Sequence, residues 1–294
     1  MNYVMKDYPA IKGYTDTFFE IIQFLRKQNE EGKFLSFHWS RFEWMFARDS
    51  FDAKDLPFMK LVYLNDELVG TLIFEDQPNH YFLIYEDDLD LKRYLVNYLI
   101  NTNFSFDLMV PQDDEIIFLL KEAGFESTTD IDQLSRFTLS DFEQPQPEGY
   151  SIQSLASNPD MKEVQYALWR GFNHGDDVPY DRDSIQGRDH MFSSPHFNRE
   201  YVYVAATQEH FVCFVGIWYM NGDKSALLEP VATVPDHRKK GLAKACIYHA
   251  IQAVKDAGAK EIYVGSNQIT YLKMGFIPYD HLTRFNKKKS NETI

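Results

Sequence analysis

LLEPVATVPDHRKKGLAKACIYHAI, residues 227–251, reads as a strand, a turn and a helix in immediate succession. Leu227 to Val234 is rich in apolar and β-branched residues, and Pro235-Asp236 breaks the strand. From Leu242 onward, Leu242, Cys246, Ile247, Ala250, Ile251 and Val254 recur at helical spacing on one face, so the helix packs on a sheet and its N-terminus is fixed in space. The first N–H groups of such a helix lack intrahelical partners and carry the positive end of the helix dipole, which suits them to an anion. Gly241 and Ala243 keep the approach open, and Arg238, Lys239, Lys240 and Lys244 gather positive charge there. The same run read alone is also compatible with a solvated helix start. The packed face that follows favours a phosphate-binding turn.

Outward from this segment the second half continues with a regular order. YSIQSL leads to a helix carrying Val164, Leu168 and Phe172, then to strands YVYVAA and FVCFVGIWY. Asn221-Gly222 supplies the positive φ angles of a tight hairpin into ALLEPVATV. The long helix stops at Gly258, strand EIYV follows, and a short helix ends in YLKMGF. The first half repeats this order faintly: Phe18, Ile21, Ile22 and Leu25 on a helix, strands LVYL, LVGTLIF and YFLIY, a helix with Leu91, Leu95 and Leu99, the strand FDLMV, and DDEIIFLLKEAGF. KEAGF and YLKMGF close the two halves, and Gly70 and Gly216 fall at matching points of their strands. The expected architecture is two tandem α+β domains, each with a mixed sheet, and gene duplication is the simplest account of it. The Pro- and Gly-bearing DFEQPQPEGY marks the boundary, giving a first domain over 1–140, a linker over 141–149 and a second domain over 150–294.

Composition limits the partners. The chain has 294 residues, 44% of them apolar, enough for two cores. Thirty Lys and Arg against 44 Asp and Glu leave a net charge of −14, which opposes general affinity for nucleic acid or anionic lipid. The longest apolar run, Phe211 to Met220, is far short of the ~20 residues of a membrane span, and the N-terminus has no apolar signal region. Two cysteines, Cys213 and Cys246, sit in apolar runs and suggest neither a disulfide framework nor a metal site. His174, His190 and His196 match no metal-ligand spacing, so no metal is expected. A cytoplasmic protein with no nucleic-acid or membrane partner is expected, and the tail FNKKKSNETI, 285–294, should be frayed.

VPDHRKKGLA resembles the Arg/Gln-x-x-Gly-x-Gly/Ala signature of the Gcn5-related N-acetyltransferase (GNAT) superfamily, and Tyr271-Leu-Lys-Met-Gly-Phe276, about 30 residues later, resembles that family's Tyr-x-x-x-Gly-Phe element. The resemblance covers the second half, and the repeat makes the first half a degenerate copy. It implies acetyl-CoA as co-substrate and a small-molecule amine as acceptor. The turn from Arg238 through Lys239, Lys240, Gly241, Leu242 and Ala243 would cradle the pyrophosphate, with Arg238 and Lys244 as supplementary charges. Val231 and Thr233 would hold the pantetheine arm through the backbone of a splayed strand, and Asn267 would also touch that arm. Pro230 agrees, since proline cannot donate to a sheet ladder.

Acetyl transfer needs a base for the ammonium form of the amine and an acid for the departing thiolate. The resemblance assigns the base to Glu229 and the acid to Tyr271, with a solvated carboxylate and a space-filling aromatic as the alternative readings. Glu229 shares a face with Val231 and Thr233 if the strand is regular. In the first half, EDDLDLKRY stands where the basic turn should be and Leu120 replaces the tyrosine, so this half should bind no CoA. The polar stretch 173–198 is expected to be a connection that helps wall the acceptor pocket. Asp176, Asp177, Asp181 and Asp183 could hold a cationic acceptor there, or merely solvate a loop, with Trp169, Tyr180 or Trp218 as walls. A non-catalytic acyl-CoA-binding protein and an aminoacyl-tRNA-dependent transferase are the competing readings; acceptor identity, acyl-chain preference and oligomeric state stay open.

Overall fold

The computed structural model describes residues 2–48, 51–102, 105–139 and 142–287. The first part of the chain runs β1 (Val4–Asp7), α1 (Asp16–Glu30), α2 (Trp39–Arg48), β2 (Lys60–Leu64), β3 (Glu67–Ile73), β4 (His80–Tyr85), α3 (Leu89–Ile100), β5 (Asp107–Val110), α4 (Asp114–Glu122) and β6 (Phe125–Thr138). The second part runs β7 (Ser151–Ser154), α5 (Met161–Gly171), α6 (Arg182–Met191), β8 (Val202–Ala206), β9 (Phe211–Trp218), β10 (Ser225–Thr233), α7 (Leu242–Asp256), β11 (Glu261–Val264), α8 (Ile269–Leu272) and β12 (Ile277–Lys287). Among the described residues no helix is long and apolar enough to cross a membrane.

Two compact units result, Met1–Leu134 with Tyr279–Ile294, and Ser135–Pro278. In the first, β1 to β4 form an antiparallel meander, β5 joins β4 in parallel, and β12 pairs antiparallel with β5. In the second, β7 to β10 form the meander, β11 joins β10 in parallel, and residues 135–138 of β6 pair antiparallel with β11. Both are α+β units with mixed sheets. The units divide elsewhere than at 141–149, because each takes its last strand from across that segment: Ser135–Thr138 pairs with Val264–Glu261, and Thr283–Asn286 with Val110–Asp107. Phe285 to Lys287, expected to be frayed, belong to β12, and Phe285 is buried; the rest of that tail lies outside the described residues.

The core of the second unit lies between its sheet and α7. Cys213, Val215 and Ile217 of β9 meet Leu242, Cys246, Ile247, Ala250, Ile251 and Val254, which is the helical stripe expected from the sequence. The alternate residues of β9 face the other way: Phe192 packs tilted against Phe214 with ring centroids 5.6 Å apart, and Phe197 edge-on against Trp218 at 5.1 Å. α5 lies against the same face, so close that a Cβ on Gly171 would stand 2.8 Å from that of Ala232.

Gly216, between Phe214 and Trp218, faces a break in register. Leu228 pairs with Ile217 and Val231 with Val215, so Glu229 and Pro230 together oppose Gly216 as a β-bulge. A Cβ on Gly216 would come within 2.8 Å of the Glu229 carbonyl oxygen. Gly70, its counterpart in the first unit, has only ordinary contacts at 3.6 Å and beyond. Gly216→Ala is expected to destabilise the protein by about 1–3 kcal/mol through overpacking, while Gly70→Ala stays well below that; urea midpoints of the two variants check the difference.

Candidate active site

The site begins where β10 leaves β11. Their parallel pairing runs from Ser225 opposite Glu261 to Leu227 opposite Tyr263 and then stops, although β10 continues to Thr233. Beyond the bulge β10 is still paired with β9, and the Val234 N–H donates to the Val212 carbonyl at 2.9 Å. Antiparallel ladders alternate, so Ala232 also bonds toward β9 while the backbone groups of Val231 and Thr233 point to the side from which β11 has departed. One of these groups is already engaged: the Thr233 carbonyl accepts from Arg238 Nε at 2.9 Å.

The turn that follows is braced from three sides. Pro235–His237 forms one 3-10 turn, Lys239 and Gly241 take left-handed conformations at φ 63° and 79°, and α7 starts at Leu242. Arg238 ties the turn to the end of α5, donating to the Gly171 carbonyl at 3.0 Å and Asn173 Oδ1 at 2.8 Å. Arg170 reaches Asp176 at 2.9 Å and Asp236 at 3.7 Å. The Tyr150 hydroxyl lies 2.9 Å from His237 Nδ1 and accepts from Lys240 Nζ at 3.2 Å. Burial, aided by the Lys240 charge, holds the His237 imidazole below the usual histidine range and so favours its neutral form.

This turn leaves a helix N-terminus open. α1, α3, α4, α5 and α6 each start with a Thr or Asp whose side chain accepts from the first helical N–H groups. α7 starts with Gly241 and has no side-chain cap, and a Cβ built on Gly241 would meet nothing within 4 Å. Lys239, Lys240 and Lys244 are exposed around it, with Lys244 Nζ 5.3 Å from the Tyr248 ring. Leu242 is buried and half-buried Ala243 follows, so these two offer the backbone. The residues present therefore fit a pyrophosphate: open backbone donors, loose cations and no carboxylate in the cap position. Arg238, exposed like the lysines, is also held to the turn and to the end of α5 by its three hydrogen bonds.

The two residues expected to carry the chemistry lie on different elements, Glu229 at the bulge of β10 and Tyr271 on α8. Tyr271 lies on α8, the short helix after β11, half-buried against the α7 side of the sheet, its ring edge-on to Phe276 at 5.8 Å. Burial first and the Glu229 carboxylate second push the Tyr271 phenol up to about 12, so it stays protonated at neutral pH. The bulge removes the regular alternation that was to place Glu229 on one face with Val231 and Thr233. Asn267 is exposed in the connection between β11 and α8.

The stretch 173–198 is not a plain connection, because residues 182–191 are α6. Of the four acids expected to hold an acceptor, two are engaged: Asp181 caps α6 through the Ser184 N–H at 2.9 Å, and Asp176 pairs with Arg170. Tyr150, Arg170, Gly171 and Asn173 brace the site without belonging to any motif. Arg170 and Asn173 are separated from Arg238 by more than 60 residues of chain, and only the glycine at 171 hints at a close approach.

The first unit shows the same frame with its site closed. The β4–β5 pairing stops at Phe82 opposite Met109 although β4 continues to Tyr85, so these strands also part. The helix after β4 is capped by Asp88, whose carboxylate accepts from the Leu91 N–H at 2.8 Å where an anion would sit. Lys92 then bridges the opening to Asp87 at 2.7 Å and to Asp113 and Glu115 at 2.8 Å each.

Residues 161–276 match the model of the acetyltransferase (GNAT) family. Across nearly its whole length the chain is similar in fold to a tandem GNAT protein from the clavulanic acid biosynthesis pathway, with 11% identity, a TM-score of 0.60 and coverage of 99% of this chain and 100% of that one. It is also similar to a GNAT-family acetyltransferase from Colwellia psychrerythraea, at 13% identity, TM-score 0.59 and 98% and 100% coverage. A GCN5-related N-acetyltransferase from Sphaerobacter thermophilus gives 13%, 0.57, and 97% and 95%. No curated protein matches the chain in sequence.

Lys92→Met, which leaves three carboxylates without their cation, is expected to destabilise the first unit by roughly 1–3 kcal/mol, less than the ~3–5 of a fully buried pair because Asp87 and Glu115 reach solvent. Chemical denaturation at neutral pH measures this, and a neutral result would show that the bridge contributes nothing. The strand, turn and helix of the second unit thus belong to a GNAT-family domain, set in a chain with the fold of tandem GNAT proteins.

Proposed function

We propose that the second unit is an acetyl-CoA-dependent N-acetyltransferase that acetylates a primary amine of a small molecule. The observation that carries this reading is the junction of an open strand edge with an uncapped, glycine-opened helix start. Acetyl-CoA supplies an activated thioester. In this reading Val231 and Thr233 hold the pantetheine arm by main-chain hydrogen bonds, and the N–H groups from Gly241 to Ala243 hold the pyrophosphate. Lys239, Lys240 and Lys244 add charge, and Asn267 borders the arm.

An aliphatic amine with a pKa near ~10 arrives as an ammonium ion, so Glu229 takes its proton directly or through one water. The nitrogen of the neutral amine bonds to the thioester carbonyl carbon, the C–S bond breaks with its electron pair leaving on sulfur, Tyr271 donates its phenolic proton to that sulfur, and the proton shed by the new amide nitrogen returns to the Tyr271 oxygen directly or through water. Burial keeps that proton in place at neutral pH, because it disfavours the phenolate. The first unit serves as a structural or substrate-shaping partner. Cys213 and Cys246, both free and buried, agree with a reducing, cytosolic setting.

Tyr271→Phe is expected to lose at least tenfold in kcat with acetyl-CoA binding intact. Glu229→Gln should lower kcat/KM and remove an ionisation from its pH profile; an unchanged rate and profile would remove Glu229 from the mechanism. Calorimetric titration should give one acetyl-CoA per chain. Binding without thiol release across a broad amine panel would leave a non-catalytic acyl-CoA-binding protein as the better reading.

A further inference from the structure

The first unit keeps a cavity where its strands part. Lys92 and its carboxylates close the end at which a phosphate would sit, yet the gap itself retains about 290 Å³, close to the lower end of the range for small-molecule sites. It lies between the ends of two strands: Tyr85 is the last residue of β4, and Pro111 follows the last residue of β5. Phe34, from the loop after α1, and Asp280, from β12, line it as well. The loop that supplies Phe34 is fixed. Asn29 is buried, its amide donates to the Lys33 and Phe34 carbonyls at 3.2 Å each, and its Oδ1 accepts from the Trp39 N–H at 2.8 Å. Across these bonds Phe34 takes a left-handed conformation at φ 51°, which a bulky residue rarely adopts, and its ring packs edge-on with that of Tyr85 at 5.1 Å.

The charges around this cavity do not balance. Lys92 is shared by Asp87, Asp113 and Glu115, and its Nζ already stands 5.7 Å from the centre of the Tyr85 ring. Lys33, at the rim, pairs with Glu31 at 2.9 Å. Asp280 has no cation among the described residues. Its Oδ2 accepts from the hydroxyl of buried Ser36 at 3.2 Å, and its Oδ1 bonds to no described residue. A half-buried carboxylate with one neutral partner is under-compensated, and here it borders a cavity walled by Phe34, Tyr85 and Pro111.

We infer that the first unit binds a small organic ammonium ion in this cavity, with its charged head on Asp280 and its apolar part against Phe34 and Pro111. An ammonium group supplies the cation that Asp280 lacks and gives it charge-assisted hydrogen bonds, and an aromatic wall adds attraction for the same charge. An anionic ligand would meet Asp87, Asp113 and Asp280 together. A neutral ligand would displace water from Asp280 without replacing it by a cation. The acids that exclude a pyrophosphate from this unit thus leave it suited to the opposite charge. The site belongs to the first unit alone and does not depend on the transferase chemistry of the second.

The test is calorimetric titration of the full chain with butylammonium and phenethylammonium, each compared with the alcohol of the same skeleton. At least one ammonium ion should bind the wild type about tenfold or more tighter than its alcohol. Asp280→Asn, which keeps an acceptor for Ser36, should abolish that preference at unchanged thermal stability. Phe34→Leu should weaken ammonium binding several-fold, and Glu229→Gln, in the other unit, should leave it as it is. Ammonium ions that bind no tighter than their alcohols overturn the site, and so does a preference kept in folded Asp280→Asn. If Asp280→Asn does not fold, full affinity in Phe34→Leu overturns it instead. A preference lost in Glu229→Gln and kept in Asp280→Asn moves amine binding to the second unit, which refutes the site and leaves the acetyltransferase reading intact.

Discussion

Two residues of β10 stand against one residue of β9, and the site depends on that mismatch. Gly216 leaves room for the Glu229 carbonyl, and the bulge shifts the alternation of the strand by one residue. On one side of it β10 holds β11; on the other β11 is gone and the main chain of Val231 and Thr233 faces outward. A strand edge inside a sheet is an exposed row of donors and acceptors that needs a partner. Arg238 supplies one from the protein by taking the Thr233 carbonyl, and through Gly171 and Asn173 it fixes the turn relative to that edge. The Arg238 guanidinium thus ties the glycine-opened start of α7 to the open strand, with Arg170 and Tyr150 bracing the same turn.

The two units show how one frame is switched between open and closed by a few charges. Each has a parallel pair of strands that part before the longer strand ends. In the second unit the following helix has no side-chain cap and is ringed by lysines. In the first, Asp88 occupies the cap and Lys92 gathers three carboxylates across the gap. A helix start capped by its own aspartate has given up a free N–H group, and the carboxylate offsets its positive potential for a phosphate.

Much of this was legible in the sequence, for reasons tied to particular residues. The strand, turn and helix of 227–251 were readable because apolar periodicity, Pro235 and Gly241 are local signals, and so was the acidic run of 86–90, whose Asp88 caps the following helix. The exchanged last strands were not readable, since nothing in β6 or β12 distinguishes pairing with β11 or β5 from pairing with any other edge. The polar composition of 182–191 concealed α6, which buries only Met191 within its span. Arg238 was expected as a supplementary charge of the turn; its hydrogen-bond partners at 171, 173 and 233 lie on separate elements and could not be read from the sequence. Glu229 was placed on its face by an alternation that the bulge interrupts.

The account stands on the claim that the turn at Gly241 is where the second unit takes acetyl-CoA. Thermal unfolding of the wild type and of Gly241→Glu, each with and without acetyl-CoA at about a hundred times Kd, tests it most directly. Binding at that excess adds about 2.7 kcal/mol, a rise in Tm of roughly 5–10 °C for a cooperative unit of this size. The account predicts that rise in the wild type and none in Gly241→Glu, whose carboxylate occupies the open helix start. An equal rise in both would place the cofactor elsewhere, and no rise in a folded wild type would mean that the open edge and turn hold no acetyl-CoA.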